Sequence, residues 1–168
     1  MPESVRTLVC VGWPLVSQGM SDDPFDLTRF VEAQDADGTY QRALGELRAG
    51  NKTSHWMWFV FPQVAGLGLS ATSVRYAISG LPEAQAYLQH PVLGPRLLEC
   101  TTTLMDLQDL SAERVLGPVD AAKLRSSMTL FAYADPERTV FRSVLKKYFG
   151  GQEDSATTSR LGEVTDEE

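Results

Sequence analysis

Two cysteines and two histidines in 168 residues leave little with which to build a covalent staple or a metal centre. Cys10 and Cys100 support neither a disulfide framework nor a cysteine-based zinc site, and they fit a reducing compartment. His55 and His90 form no HxxxH or HExxH pair, so no metal and no cofactor is expected. Basic charge is scarce as well. Fifteen Lys and Arg face 22 Asp and Glu, giving a net charge of −7 and a pI near 4.8. That balance disfavours nonspecific nucleic-acid binding, which needs a cationic footprint, and a polybasic membrane surface. The apolar stretch at residues 8–16 is too short to span a bilayer. It also makes a poor signal peptide, because Glu3 sits in its charged region and no small-x-small cleavage site follows. Period-two alternation between hairpin turns is missing, so strands are not expected. A P-loop, a dinucleotide fingerprint and a nucleophile elbow are missing too.

The charge that is present is unevenly placed. Residues 151–168 hold six acids and one base, lack aromatics, and read as an acidic disordered tail. Residues 21–150 hold 15 acids and 13 bases, so the body of the chain is close to neutral. A local cationic pocket is therefore compatible with the overall acidity. Residues 1–20 read as an N-terminal extension or as an overrun ahead of a start at Met20. The expected organisation is an extension over 1–20, a helical domain over 21–150 and a tail over 151–168, in a cytoplasmic protein. Oligomeric state is left open.

Helix signals dominate the body. Asp23-Pro24 supplies an N-cap and a first-turn proline, and Leu27, Phe30, Val31 and Gln34 follow on one face. Thr39 precedes a second stripe of Tyr40, Ala43, Leu44 and Leu47, which Gly50 ends. Pro82-Glu83 opens a helix ending before Pro91. Leu93, Leu97, Cys100, Leu104 and Leu107 form a longer stripe, with Cys100 as an inert core thiol. Ser111 caps a short turn to Gly117-Pro118. Leu124, Ser127, Met128 and Phe131 mark another helix. Asp135-Pro136 begins a last one, which carries Phe141, Val144, Leu145 and Tyr148 and stops at Gly150-Gly151. The expectation is an all-α single compact domain of six to eight helices.

One segment departs from this pattern. Trp56, Trp58, Phe59 and Phe61 crowd into six residues, an aromatic density found nowhere else in the chain. The plain role of such a cluster is core. Its flanks are polar: Lys52, Ser54 and His55 come before it, and Gln63 with Gly66 and Gly68 comes after. A glycine loop beside a lysine, a histidine and stacking aromatics suits a flat anionic ligand. A second polar group, Lys123-Leu-Arg125-Ser126-Ser127, puts two hydroxyls in mid-helix, with Arg125 and Ser126 able to meet a phosphate. Lys123 and Arg125 do not share a helix face, so only one of them can accompany Ser127 inward. His90 reads as a helix-end residue.

These residues carry a resemblance. Phe30-Val-Glu-Ala-Gln34, Ala43-Leu-Gly-Glu-Leu-Arg-Ala-Gly50-Asn-Lys52, Ser54-His-Trp-Met-Trp-Phe-Val-Phe-Pro-Gln63 and Lys123-Leu-Arg-Ser-Ser-Met-Thr-Leu-Phe131 resemble domain-of-unknown-function family 1810. So do Glu83-Ala-x-Ala-Tyr-Leu88, His90-Pro-Val-Leu-Gly94 and Tyr148-Phe-Gly150, with both termini outside the pattern. The resemblance implies a small all-helical bacterial domain and no established activity. The label calpastatin carried by some members does not fit, because such an inhibitor is disordered and repetitive whereas this chain is patterned to fold. The Phe30 to Gln34 string also resembles NADAR-type domains, which handle ADP-ribose derivatives. The favoured expectation is a domain that binds a nucleotide- or ADP-ribose-like ligand. Its binding candidates are Gln34, Lys52, His55, Trp56, Trp58, Gln63, Arg125, Ser126 and Ser127, and His55 is the catalytic candidate. The alternative is a protein-interaction or structural accessory module with an aromatic core, in which Trp56 could serve as an exposed anchor. Convergence of Lys52, His55, Gln63 and Arg125 on one cavity separates the two.

Overall fold

A computed structural model describes residues 22–165, which are all-α. Helix α1 (Thr28–Asp35) passes through a short 3-10 turn into α2 (Thr39–Arg48), followed by the single turns α3 (Met57–Val60) and α4 (Ala71–Arg75). Then come α5 (Leu81–Gln89), α6 (Leu93–Asp106), the short α7 (Ala112–Leu116), α8 (Pro118–Ala134), α9 (Val140–Phe149) and α10 (Ser155–Thr165). Seven of these helices run to eight residues or more and three are short turns, so the larger elements match the expected number. Among the described residues the only extended pairing is an isolated parallel bridge between Val64 and Ile78.

The expected apolar stripes face inward. Tyr40, Ala43, Leu44 and Leu47 of α2 are buried, as are Leu93, Leu97, Cys100 and Leu104 of α6 and Phe141, Val144 and Leu145 of α9. Burial pushes the Cys100 thiol up to about 12, which keeps it protonated and inert. Several boundaries move by a turn. Helix α1 starts at Thr28 rather than at Pro24, and the Asp23 carboxylate reaches forward to accept the backbone N–H of Leu27 (2.6 Å) and Thr28 (2.8 Å). Ser111 caps α7 as expected, accepting from the Arg114 N–H at 3.1 Å. Gly50 ends α2 at φ +67°, a left-handed conformation in which a side chain would be strained, so glycine is favoured there.

Helix α8 is the axis of the domain. Its residues from Ser126 to Ala132 are all buried, because α5, α7, α9 and α10 pack around it. The Ser126–Ala132 stretch is enclosed on every side and shows little amphipathic pattern, so its polar Ser126, Ser127 and Thr129 sit in the interior, whereas Val119, Ala122 and Tyr133 nearer the ends are exposed. The expected disordered tail requires a correction. Ser155–Thr165 is helical and packs on α8, with Thr157 and Leu161 buried. The Asp154 carboxylate starts it by accepting the N–H (2.9 Å) and hydroxyl (2.6 Å) of Thr157, a cap hidden in an acidic, low-aromatic stretch.

The loop between Val64 and Ile78 is held at its base by Arg29. Its guanidinium donates to the carbonyls of Phe25, Asp26, Arg75 and Ala77 at 2.7–2.9 Å and pairs with Glu83 at 3.1 Å. Both charges of that pair are largely buried, with side-chain exposures of 12% and 5%. Removing one partner strands the other charge in the interior. We expect Arg29→Met to cost about 3–5 kcal/mol in urea unfolding and to open residues 65–77 to proteolysis. A loss below ~1 kcal/mol would contradict the latch.

Candidate functional site

The aromatic segment runs through the domain with only one helical turn of its own, so its polar groups need partners from elsewhere. Glu46, in the last turn of α2, supplies the first set. Its carboxylate accepts from the Thr53 N–H (2.7 Å), the Thr53 hydroxyl, the Ser54 hydroxyl (2.7 Å) and the Trp56 indole N–H (2.6 Å). Burial by itself raises the pKa of this carboxyl, but the hydrogen bonds from Thr53, Ser54 and Trp56 to the ionised form outweigh that and bring it down to about 2. Gln34 supplies the second set. Its amide donates to the Phe59 carbonyl (2.7 Å) and to the Tyr87 hydroxyl (3.2 Å), and its oxygen accepts from Arg96 (3.3 Å). Lys52 supplies the third. Its ammonium donates to the Ser54 carbonyl (2.6 Å), lies 5.1 Å from the Trp56 ring centroid and pairs with Asp120 at 2.8 Å.

Asp120 sits in the first turn of α8 and is shared. One of its oxygens holds Lys52 and the other meets Lys123 at 3.3 Å. Two ammonium groups thus share this one carboxylate, while the ionised Glu46 lies on the far side of Ser54 and Trp56 from Lys123 in the same network. Lys123 lies 4.3 Å over the Trp58 ring, a cation–π contact at the wall of a cleft of about 100 Å³. Trp58, Phe61, Val64 and Tyr76 give the cleft apolar walls, and Gln63, Ser73 and Lys123 its polar points. The Val64–Ile78 bridge closes the loop that forms its outer side. Gly66 of that loop has φ +96°, a left-handed conformation that favours glycine, and the Arg160 side chain of α10 lies against it. The Trp58 indole N–H is buried with no hydrogen-bond partner, as is the Ser127 hydroxyl one turn beyond Lys123. A wider groove of about 500 Å³ lies along α6, but it is open, and its Arg48 and Glu99 pair with each other at 3.4 Å.

Of the nine sequence candidates, Trp58 and Gln63 line the cleft. Lys52 lies behind it, linked through Asp120 to Lys123. Gln34 is a structural tie to Phe59. Trp56 is fully buried on Glu46, so it is neither a stacking platform nor an exposed anchor. His55 is exposed and Arg125 pairs with Asp154 at 3.7 Å; neither lines the cleft. Ser126 bonds back to the Ala122 carbonyl at 3.2 Å, the ordinary fate of a mid-helix serine. Lys52, His55, Gln63 and Arg125 therefore do not converge on one cavity, so the criterion goes against a small-molecule site built on those four, and a site here has to rest on Trp58, Gln63 and Lys123 instead. Lys123, rather than Arg125, accompanies Ser127. Asp120 and Glu46 were missed by sequence reasoning; the one available signal was the Asp120, Lys123 spacing in the first turn of a helix.

Fold and cleft together define an all-helical domain with a small apolar cleft edged by a lysine. The chain belongs to the DUF1810 family of proteins of unknown function, whose model matches residues 24–161. The match reaches into α10, so the C-terminal helix lies within the family pattern as far as Leu161. Among solved structures the chain is similar to the conserved hypothetical protein Rv1873 from Mycobacterium tuberculosis, a crystal structure at 1.38 Å. The two are 56% identical with a TM-score of 0.81, over 83% of this chain and 99% of that one. No curated protein matches the chain. Among the described residues no helix is long and apolar enough to cross a membrane.

The depressed Glu46 carboxyl has a pH signature. Its folded value of about 2 lies below the ordinary 4.5, so its contribution to stability is complete above pH 4.5 and is lost as pH falls towards 2. The difference in unfolding free energy between wild type and Glu46→Gln should be level from pH 5 to 8 and shrink between pH 4.5 and 2. A difference that does not change with pH would rule out the anchor.

Proposed function

We propose that this domain, in a cytoplasmic protein, binds a small anionic ligand of the nucleotide or ADP-ribose type, with part of it in the cleft beside Trp58. The observation that carries the reading is the Lys123 ammonium over the Trp58 ring at the wall of an apolar cleft. Charge supports it: Lys123 shares the Asp120 carboxylate with Lys52 and lines the cleft, so its ammonium is placed to meet an anion there. Hydrogen bonding supports it as well, since an acceptor oxygen brought to the Trp58 indole would meet a buried demand that the protein leaves open. The enclosed space of about 100 Å³ suits one ring or one phosphate group, with the rest of the ligand lying across the mouth; a cavity of about 150 Å³ holds benzene. The reading is one of binding. His55 does not line the cleft, and no catalytic role is assigned.

The test is a thermal-shift screen with nucleotides, ADP-ribose and inorganic phosphate. A ligand at a hundredfold excess over its Kd should add about 2.7 kcal/mol of stability. Lys123→Met should abolish that shift, and His55→Ala with Arg125→Ala should keep it. A full shift in Lys123→Met, or no shift with any of the compounds, would overturn the reading.

A further inference from the structure

We propose that the cleft takes a single pyrimidine base, read at its edge by the Gln63 amide, and that it seats neither a purine nor a phosphate group. The proposal rests on the small-ligand reading and narrows it to pyrimidine nucleotides.

Charge argues against the phosphate. Among the described residues Lys123 is the one cationic side chain on the lining, and its ammonium is already paired with Asp120 at 3.3 Å and stacked on the Trp58 ring. A phosphate dianion inside would face Phe61, Val64 and Tyr76, with only that committed cation to replace its water. A neutral ring gives up far less hydration on entering such walls. The Lys123 side chain is 22% exposed, so the phosphate of a nucleotide can meet it from the mouth and stay hydrated.

Size argues against the purine. The enclosed space is about 100 Å³, smaller than the cavity of about 150 Å³ that takes up benzene. It covers no more than one six-membered ring, and the second ring of a purine would be left outside. The outer wall is braced against widening, because Tyr76 packs on Phe30 and Phe59 with ring centroids 5.8 and 5.3 Å away.

The hydrogen-bonding edge then selects the ring. Gln63 is fixed through its backbone, whose carbonyl accepts from the Ile78 N–H at 2.8 Å beside the Val64–Ile78 bridge. Gln63 lines the cleft, and its side-chain amide makes no hydrogen bond to the described residues. An amide presents a donor beside an acceptor. Uracil answers with a carbonyl oxygen beside its ring N3–H, and cytosine with its amino group beside the bare N3. Each base keeps its other carbonyl as an acceptor for the buried Trp58 indole N–H.

The test is calorimetric titration of the full chain with the monophosphates of uridine, cytidine, adenosine and guanosine. Ribose phosphate, ADP-ribose and the N3-methyl analogue of uridine monophosphate complete the set. The two pyrimidine nucleotides should bind at least tenfold more tightly than the two purine nucleotides and ribose phosphate, and N3-methylation should weaken uridine monophosphate at least tenfold. Gln63→Leu should bring uridine monophosphate down to the level of its methylated analogue, with an unchanged Tm showing that the variant folds; should it not fold, the analogue on wild type decides. The proposal is overturned if purine nucleotides or ribose phosphate bind as well as uridine monophosphate, or if the methylated analogue binds like its parent. Those outcomes leave the small-ligand reading standing, as does binding of ADP-ribose without any pyrimidine nucleotide. If nothing in the set binds, both fall.

Discussion

The carboxylate of Glu46 is the point on which the central segment hangs. Residues 51–62 cross the domain with a single helical turn of their own, and buried backbone without regular partners is unstable unless side chains satisfy it. Glu46 gathers Thr53, Ser54 and Trp56 onto one group. That fixes Trp56, on whose ring Lys52 rests, and Lys52 reaches Asp120, which in turn holds Lys123 over Trp58. The cleft wall is the last link of this chain. A charged acceptor is better suited to it than a neutral one, because hydrogen bonds to an ionised group are shorter and stronger.

The other anchors act in the same way from different helices. Gln34 of α1 holds the Phe59 carbonyl and is itself held by Arg96 of α6. Arg29 of α1 gathers four carbonyls and Glu83 at the base of the loop. The polar residues that interrupt otherwise apolar stripes are therefore mostly fasteners for irregular backbone. What remains once they are used is narrow: Lys123, the indole of Trp58, the amide of Gln63 and an apolar mouth.

The helical architecture was legible in the sequence because stripes such as Tyr40, Ala43, Leu44 and Leu47 follow directly from the 3.6-residue period. Helix α8 was legible as a helix but not as the axis, since the continuous burial of Ser126–Ala132 erases the contrast between its faces over that stretch. Helix α10 was hidden by composition: six acids in 18 residues masked the Asp154 cap and the buried Thr157 and Leu161. At the site, Trp58 and Gln63 were found because the aromatic cluster and its glycine-rich flank are local signals. Asp120 and Arg29 act across long separations in sequence, and Glu46 reaches partners only 7 to 10 residues on but across the end of α2 and a loop, where no helical or strand period applies, so spacing does not report on such pairings. His55 and Arg125 were named for their chemistry, which says nothing about the direction in which a side chain points.

The two cluster tryptophans give the most direct measurement. In an assigned spectrum of ¹⁵N-labelled protein, the Trp56 indole N–H, donated to Glu46, should resonate downfield, exchange slowly with solvent and titrate with a midpoint of about 2. The Trp58 indole N–H, which has no partner, should resonate upfield of it and show no such titration. A Trp56 signal that exchanges as fast as an exposed indole, or that titrates near pH 4.5, would contradict the anchor from which the cleft is built.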